Sequence, residues 1–167
     1  MQDMYNNQPI FKTIALHPHL LQYVINEVPA FFIAIISYWI YSCCSFMWHE
    51  YFLLVTLLTI LYLIGRFLSL IRTEYIISGE QLIILQGVLT QSTNYVELYR
   101  VVDYQEHRSI MQQLVGLKTV SIYSGDRNNP VVNIIGIKAN IALVAEIRVR
   151  VEYNKRRKGI YEVTNRF

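Results

Sequence analysis

The densest group of residues able to do acid–base chemistry is Asp103, Glu106, His107 and Arg108. A carboxylate and an imidazole in one short stretch form a general acid/base pair if their side chains meet. This stretch sits where a strand-like run enters a turn, and polar residues gather there for turn chemistry alone. No enzyme is expected. His17-Pro18-His19 presents two imidazoles, with no third ligand at a metal-binding spacing, so no metal is expected either. The only cysteines, Cys43 and Cys44, are adjacent. Neighbouring cysteines have the wrong Cα spacing and Cβ directions to bridge, so they read as apolar packing. The chain has no phosphate-binding glycine loop, nucleophile elbow or zinc-protease motif. No cofactor and no small-molecule substrate are expected.

The chemistry that remains is electrostatic and aromatic. From Arg148 onward there are seven Lys/Arg against two acids, a local excess near +5 on a chain whose net charge is +3. Arg150, Lys155, Arg156, Arg157 and Lys158 are candidate contacts for anionic lipid or an acidic partner, at ~1 kcal/mol per base close to a membrane surface. Arg100 is a strand arginine whose fork pairs with a nearby carboxylate or meets a partner. Tyr95, Tyr99, Tyr104 and Tyr123 are candidate interface aromatics. Nucleic acid is excluded, because the bases do not interleave with aromatics.

Two apolar segments must position these groups. Val28 to Met47 is twenty residues without a charge, and Tyr51 to Ile71 carries only Arg66. Twenty helical residues span roughly 30 Å, the thickness of a bilayer's hydrocarbon core. The short link Met47 to Glu50 makes them a helical hairpin. Lys12 flanks the first span, Arg66 and Arg72 flank the exit of the second, and the link has no base. Both termini are therefore expected on the cytoplasmic side. The spans lack a central charge and a GxxxG stripe, so they read as anchors, with Arg66 snorkelling to the headgroups. Residues 1–27 lack the pattern of a signal peptide and read as an interfacial lead-in broken by Pro18.

Beyond Thr73 the pattern changes to short strands divided by turns. Glu74 to Ser78, Gln81 to Gln86, Thr93 to Asp103, Thr119 to Tyr123 and Val131 to Ile137 read as strands. Ser109 to Val115 reads as a helical turn closed by Gly116. Asn140 is the expected N-cap of an amphipathic helix reaching about Arg157, with apolar Ile141, Val144, Ile147 and Val151 and a Glu146–Arg150 pair on its polar side. Antiparallel strands covered by one helix make a small α+β fold, a partly open barrel or sandwich.

Several pieces resemble the bacterial PH-like (pleckstrin-homology-like) domain family of membrane proteins. Glu74-Tyr75-Ile76-Ile77 and Leu82-Ile83-Ile84-Leu85-Gln86-Gly87 are similar to its opening strands. Val96-Glu97-Leu98-Tyr99-Arg100-Val101 resembles its I-P-L-x-R-I strand. Leu114-Val115-Gly116-Leu117-Lys118-Thr119-Val120 resembles its L-x-G-x-G-x-V turn, and Ile134-Ile135-Gly136-Ile137 its L-x-G-I. Glu97 departs from the usual proline, and Leu117-Lys118 from the usual glycine.

The resemblance implies a hairpin (28–71), a cytoplasmic PH-like domain (72–153) and a basic tail (154–167) in a bacterial inner membrane. The expected function is a non-enzymatic adaptor or structural subunit. Its partners would be membrane lipids, its own copies or other membrane subunits, as in a secretion or export complex. The alternative is a module reading anionic lipid through the basic tail. The turn Ser78-Gly79-Glu80 has no base, so a phosphoinositide site there is not expected.

Overall fold

The computed structural model describes residues 11–43, 48–127 and 129–160. The first described element is a short strand β1 (Ile14–Leu16), followed by two long helices, α1 (Leu20–Cys43) and α2 (His49–Ile71). Both are long and apolar enough to cross a membrane. Then follow β2 (Glu74–Ile77), β3 (Gln81–Gln86), β4 (Ser92–Glu97), β5 (Val101–His107), α3 (Ile110–Leu114), β6 (Leu117–Ser124), β7 (Val131–Lys138) and α4 (Leu143–Arg157).

Among the described residues the strands form two antiparallel sheets, ordered β1-β2-β3-β4 and β5-β6-β7, and no closed barrel. Alternation explains the sheets. Along β6, Val120 and Ile122 point inward, and along β3 so do Leu82 and Ile84. Leu143, Ile147 and Val151 of α4 close the core over Val96, Leu98 and Ile134. Burying such side chains contributes about 1.5–3 kcal/mol each.

Four expectations are corrected. Residues 14–16, read as part of an interfacial lead-in, pair with β2, Ile14 facing Ile77 and Leu16 facing Tyr75. The first helix begins at Leu20 rather than Val28, so Gln22 and Glu27 lie inside it, both buried. The run Thr93 to Asp103 is two strands in different sheets, broken by a 3-10 turn at Leu98–Arg100. That turn carries Leu98 into the core and donates its amide to the Glu80 carbonyl. Asn140 does not cap α4. The helix starts at Leu143 after a tight turn, and Ala142 gives no side-chain cap.

The hairpin keeps one register along its length. Glu27 pairs with Arg66, and ten residues further along α1 Ser37 pairs with Thr56, ten residues before Arg66. Ser37 Oγ and Thr56 Oγ1 are 2.8 Å apart and buried. Tyr23 donates its phenol proton to the Leu63 carbonyl at 2.9 Å. Most other large side chains of the hairpin point outward, Leu57 and Leu61 among them. The link residues 44–47, with Cys44 and Met47, lie outside the described residues.

Candidate functional site

The most constrained region is the junction between hairpin and sheets. β1 precedes the hairpin and β2 follows it, yet the two are hydrogen-bonded neighbours. The chain leaves the sheet, runs through both helices and returns to the adjacent strand. Polar contacts then fix α1. Gln112 of α3 donates through Nε2 to Gln22 Oε1 at 2.8 Å and to Thr119 Oγ1 at 2.9 Å. Gln22 in turn donates to Asn26 Oδ1 at 2.8 Å. The His19 amide donates to the Gly136 carbonyl at 2.8 Å.

Gly136 explains why α1 can come so close. It has φ +73 at a bulge of β7, where Val120 faces Ile134 but Lys118 faces Ile137. A Cβ there would lie 2.8 Å from Gln22 Cβ. The glycine of the Ile134-Ile135-Gly136-Ile137 segment thus serves contact with the hairpin.

A cavity of about 200 Å³ fills the same junction, lined by Gln22, Asn26, Glu27, Arg66, Thr73, Tyr75 and Gln86 among others. Arg66 Nε donates to Glu27 Oε1 at 2.7 Å, the carboxylate nearly inaccessible and the guanidinium half-exposed. Arg66, expected to snorkel, is tied to the neighbouring helix, because Glu27 falls opposite it in the hairpin register. Tyr75 reaches the cavity from β2 and accepts the Ile135 amide at 3.3 Å. Burial raises its phenol above the ordinary 10.0, against a smaller lowering by that hydrogen bond.

The sequence-predicted residues fall in three places. Arg150, expected on the polar side of the helix, is buried at 3% exposure. It pairs with Glu146 at 2.8 Å, donates to the Lys12 carbonyl at 2.9 Å and stacks on the Phe11 ring. It straps the segment before β1 onto α4, so it offers no lipid or partner contact. The physical reason is that the N-terminal segment covers the face that periodicity alone leaves to solvent.

Lys155, Arg156, Arg157 and Lys158 end α4 at the pole remote from the hairpin. Asn154 donates to the Gly79 carbonyl there, and Arg157 pairs with Glu80, both residues of the β2–β3 turn. The hairpin joins the opposite end of β2, four residues away, or roughly 13 Å along the strand. Lys158 lies over the Tyr99 ring, 3.7 Å from its centre. Arg100 donates to the Tyr99 phenol at 3.0 Å and pairs with Asp126 at 3.5 Å. The Tyr99 hydrogen bond, more than Asp126, raises the Arg100 guanidinium above its ordinary value. Tyr95 projects from β4 with its side chain exposed. Tyr99, Arg100 and Lys158 form one polar and aromatic rim, and Tyr95 lies two strand residues before Glu97 on neighbouring β4.

A groove of about 360 Å³ runs between β5 and α4, lined by Val101, Val102, Asp103, Tyr104, Arg148, Glu152, Lys155, Arg156 and Ile160, with Val151 at its base. Tyr104 therefore belongs with α4. Tyr123 lies on β6 and donates to Gln105 Oε1 at 2.9 Å. Asp103 and His107 stand four strand residues apart, roughly 13 Å, too far to share a proton. Glu106 takes the Lys118 ammonium at 2.7 Å. The polar cluster thus marks an exposed sheet edge, the position where charges discourage unwanted strand pairing.

His17 and His19 do not converge. His17 Nδ1 faces the Thr73 carbonyl at 3.2 Å, and His19 Nδ1 accepts the Leu21 amide at 3.2 Å. Among the described residues no three His, Cys, Asp or Glu side chains form a metal-binding group. Sequence reasoning missed Gln22, Glu27, Gln112 and Gly136. The available signals were polar Gln22, Asn26 and Glu27 interrupting the apolar residues ahead of Val28, and the glycine of the Ile134-Ile135-Gly136-Ile137 segment.

No curated protein and no solved structure matches the chain. A family described as "Bacterial PH domain" matches residues 20–155, which includes both long helices and strands β2 to β7 but not β1. The hairpin, the bulge that receives it and the covering helix thus fall within a single family unit, and the chain belongs to the bacterial PH domain family.

Proposed function

We propose that this protein is a non-enzymatic, membrane-anchored adaptor of the bacterial inner membrane. Its hairpin crosses the bilayer, its PH domain lies on the cytoplasmic face, and that domain docks other membrane subunits or further copies of the chain. One observation carries the reading: the hairpin is spliced between paired strands β1 and β2. A domain attached through a flexible linker samples a volume. This one is held against the end of its anchor, which raises its effective concentration toward partners in the same membrane. An export or secretion assembly is the kind of complex such a subunit serves.

The docking surface is the pole remote from the hairpin, built from Tyr95, Tyr99, Arg100 and the Lys155–Lys158 rim. Aromatic and arginine side chains dominate protein interfaces, and the basic rim suits an acidic partner. The same placement weighs against the rim as a reader of anionic lipid, because electrostatic attraction to a membrane surface fades within a Debye length of roughly 8–10 Å.

The test places a photo-crosslinking amino acid at Tyr95 or Tyr99 of the full chain in native membranes. Adducts to a membrane protein or to a second copy support the reading. Adducts to lipid alone contradict it and favour the lipid-reading alternative.

A further inference from the structure

The pole of the domain that meets the hairpin carries large apolar side chains that none of the described residues covers. Ile110 and Leu114 of α3 are 79% and 78% exposed, and Met111 is half-exposed. Leu89, at the tip of the β3–β4 loop, is fully exposed, with Val88 beside it. Both features sit next to the hairpin. Gln112 of α3 is bonded to Gln22 of α1. β3 ends beside the start of β2, Leu85 facing Glu74, and Gln86 lines the junction cavity with Ser69 and Thr73.

We infer that this pole is a lipid-contact surface, with Ile110, Met111 and Leu114 of α3 and Leu89 of the loop lying in the headgroup–acyl boundary beside the two helices. The inference rests on the reading that the hairpin spans a bilayer.

Three observations select lipid over a protein partner. The apolar side chains adjoin the end of a hairpin whose own large apolar side chains face outward, the surface a bilayer covers on the proposed reading. They are carried on two separate protrusions, α3 and a loop, which suits insertion into a fluid boundary. Exposed bases flank them: Arg72 closes α2, Arg108 precedes α3 and Lys138 ends β7 beside Leu117. The acids nearby are already engaged, Glu106 with Lys118 and Glu74 opposite His17. Apolar tips among bases fit the interface of an anionic leaflet.

The arrangement has a consequence for orientation. Two helices alone leave the hairpin and its rigidly joined domain free to tilt together in the bilayer. Two further apolar footholds fix its tilt and turn the Tyr95–Lys158 pole away from the membrane.

The test uses the full chain with Cys43→Ser and Cys44→Ser, reconstituted in vesicles of phosphatidylethanolamine and phosphatidylglycerol. Single variants Leu89→Cys, Ile110→Cys and Leu114→Cys carry an environment-sensitive fluorophore. Leu57→Cys reports the span and Glu80→Cys the remote pole. The expected result is blue-shifted emission at 89, 110 and 114, quenched by lipids spin-labelled near the headgroup and resistant to aqueous iodide, with Glu80→Cys showing the reverse. Iodide quenching at 89, 110 and 114, while Leu57→Cys stays lipid-quenched, overturns this inference and leaves the hairpin reading intact. Protection of those sites from both quenchers overturns it in favour of a protein partner or a second copy. Loss of lipid quenching at Leu57→Cys overturns the hairpin reading and this inference together.

Discussion

Gln22 of α1 and Gln112 of α3 lie ninety residues apart in the chain and share a buried 2.8 Å hydrogen bond. Each amide has a second partner, Asn26 for Gln22 and Thr119 for Gln112. The contact joins a helix long and apolar enough to cross a membrane with the sheet domain.

That network predicts a coupled energetic effect. Gln22→Leu or Gln112→Leu alone leaves a buried amide short of a partner and costs about 1–3 kcal/mol. The double variant costs less than the sum of the two. Thermal unfolding of the four proteins in one detergent measures the coupling.

Gly136→Ala combines two penalties. The residue needs φ +73, and the added Cβ meets Gln22 Cβ at 2.8 Å. Gly116→Ala shares a similar φ of +68 but has open space around it. Gly116→Ala is expected to cost about 1 kcal/mol, the usual scale of left-handed strain. Gly136→Ala is expected to cost more, and to increase protease sensitivity at the hairpin–domain junction specifically.

Glu27 and Arg66 form an asymmetric pair, with the carboxylate buried and the guanidinium half-exposed. Arg66→Leu strands the buried charge, whereas Glu27→Leu leaves a cation able to reach solvent or headgroups. Arg66→Leu is therefore expected to be the more damaging change, by about 1–3 kcal/mol, and adding Glu27→Leu restores part of the loss. Denaturation midpoints of the three variants check the order.

Tyr75 sets an alkaline limit. Burial raises its phenol above 10.0 in the folded chain, so the unfolded chain gives up that proton first. Its contribution is fully present below 10.0 and is lost as pH rises from there through the higher folded value. Tyr75→Phe is expected to lower stability at neutral pH through the lost contact with Ile135, and to flatten the alkaline decline. Unfolding midpoints measured across that range test both.

The sheet domain was largely legible in the sequence, because alternation along β3, β6 and β7 and helical spacing in α4 are strong local signals. The Ser109 turn was legible too, and it carries a capping box with Gln112. What escaped notice depends on distant partners. β1 has only three residues, and its strand character comes from β2, sixty residues later. Arg150 reads as a surface residue until Phe11 and Lys12 fold over it. Glu27 looks like the polar edge of a span until Arg66 is found opposite. The break at Leu98–Arg100 is hidden because inward positions 96 and 98 keep their alternation up to the turn. The basic rim was visible as a charge run, but its distance from the hairpin emerged only from the β2–β3 turn that holds it.

The central claim is that two apolar helices hold a bacterial PH domain on the inner face of a membrane. Asn129→Cys in the Cys43→Ser, Cys44→Ser background tests it most directly, with a membrane-impermeant maleimide applied to sealed vesicles of both orientations. Labelling in inside-out vesicles alone, with the protein retained after an alkaline carbonate wash, is the predicted result. Labelling in right-side-out vesicles, or release of the protein by the wash, would contradict it.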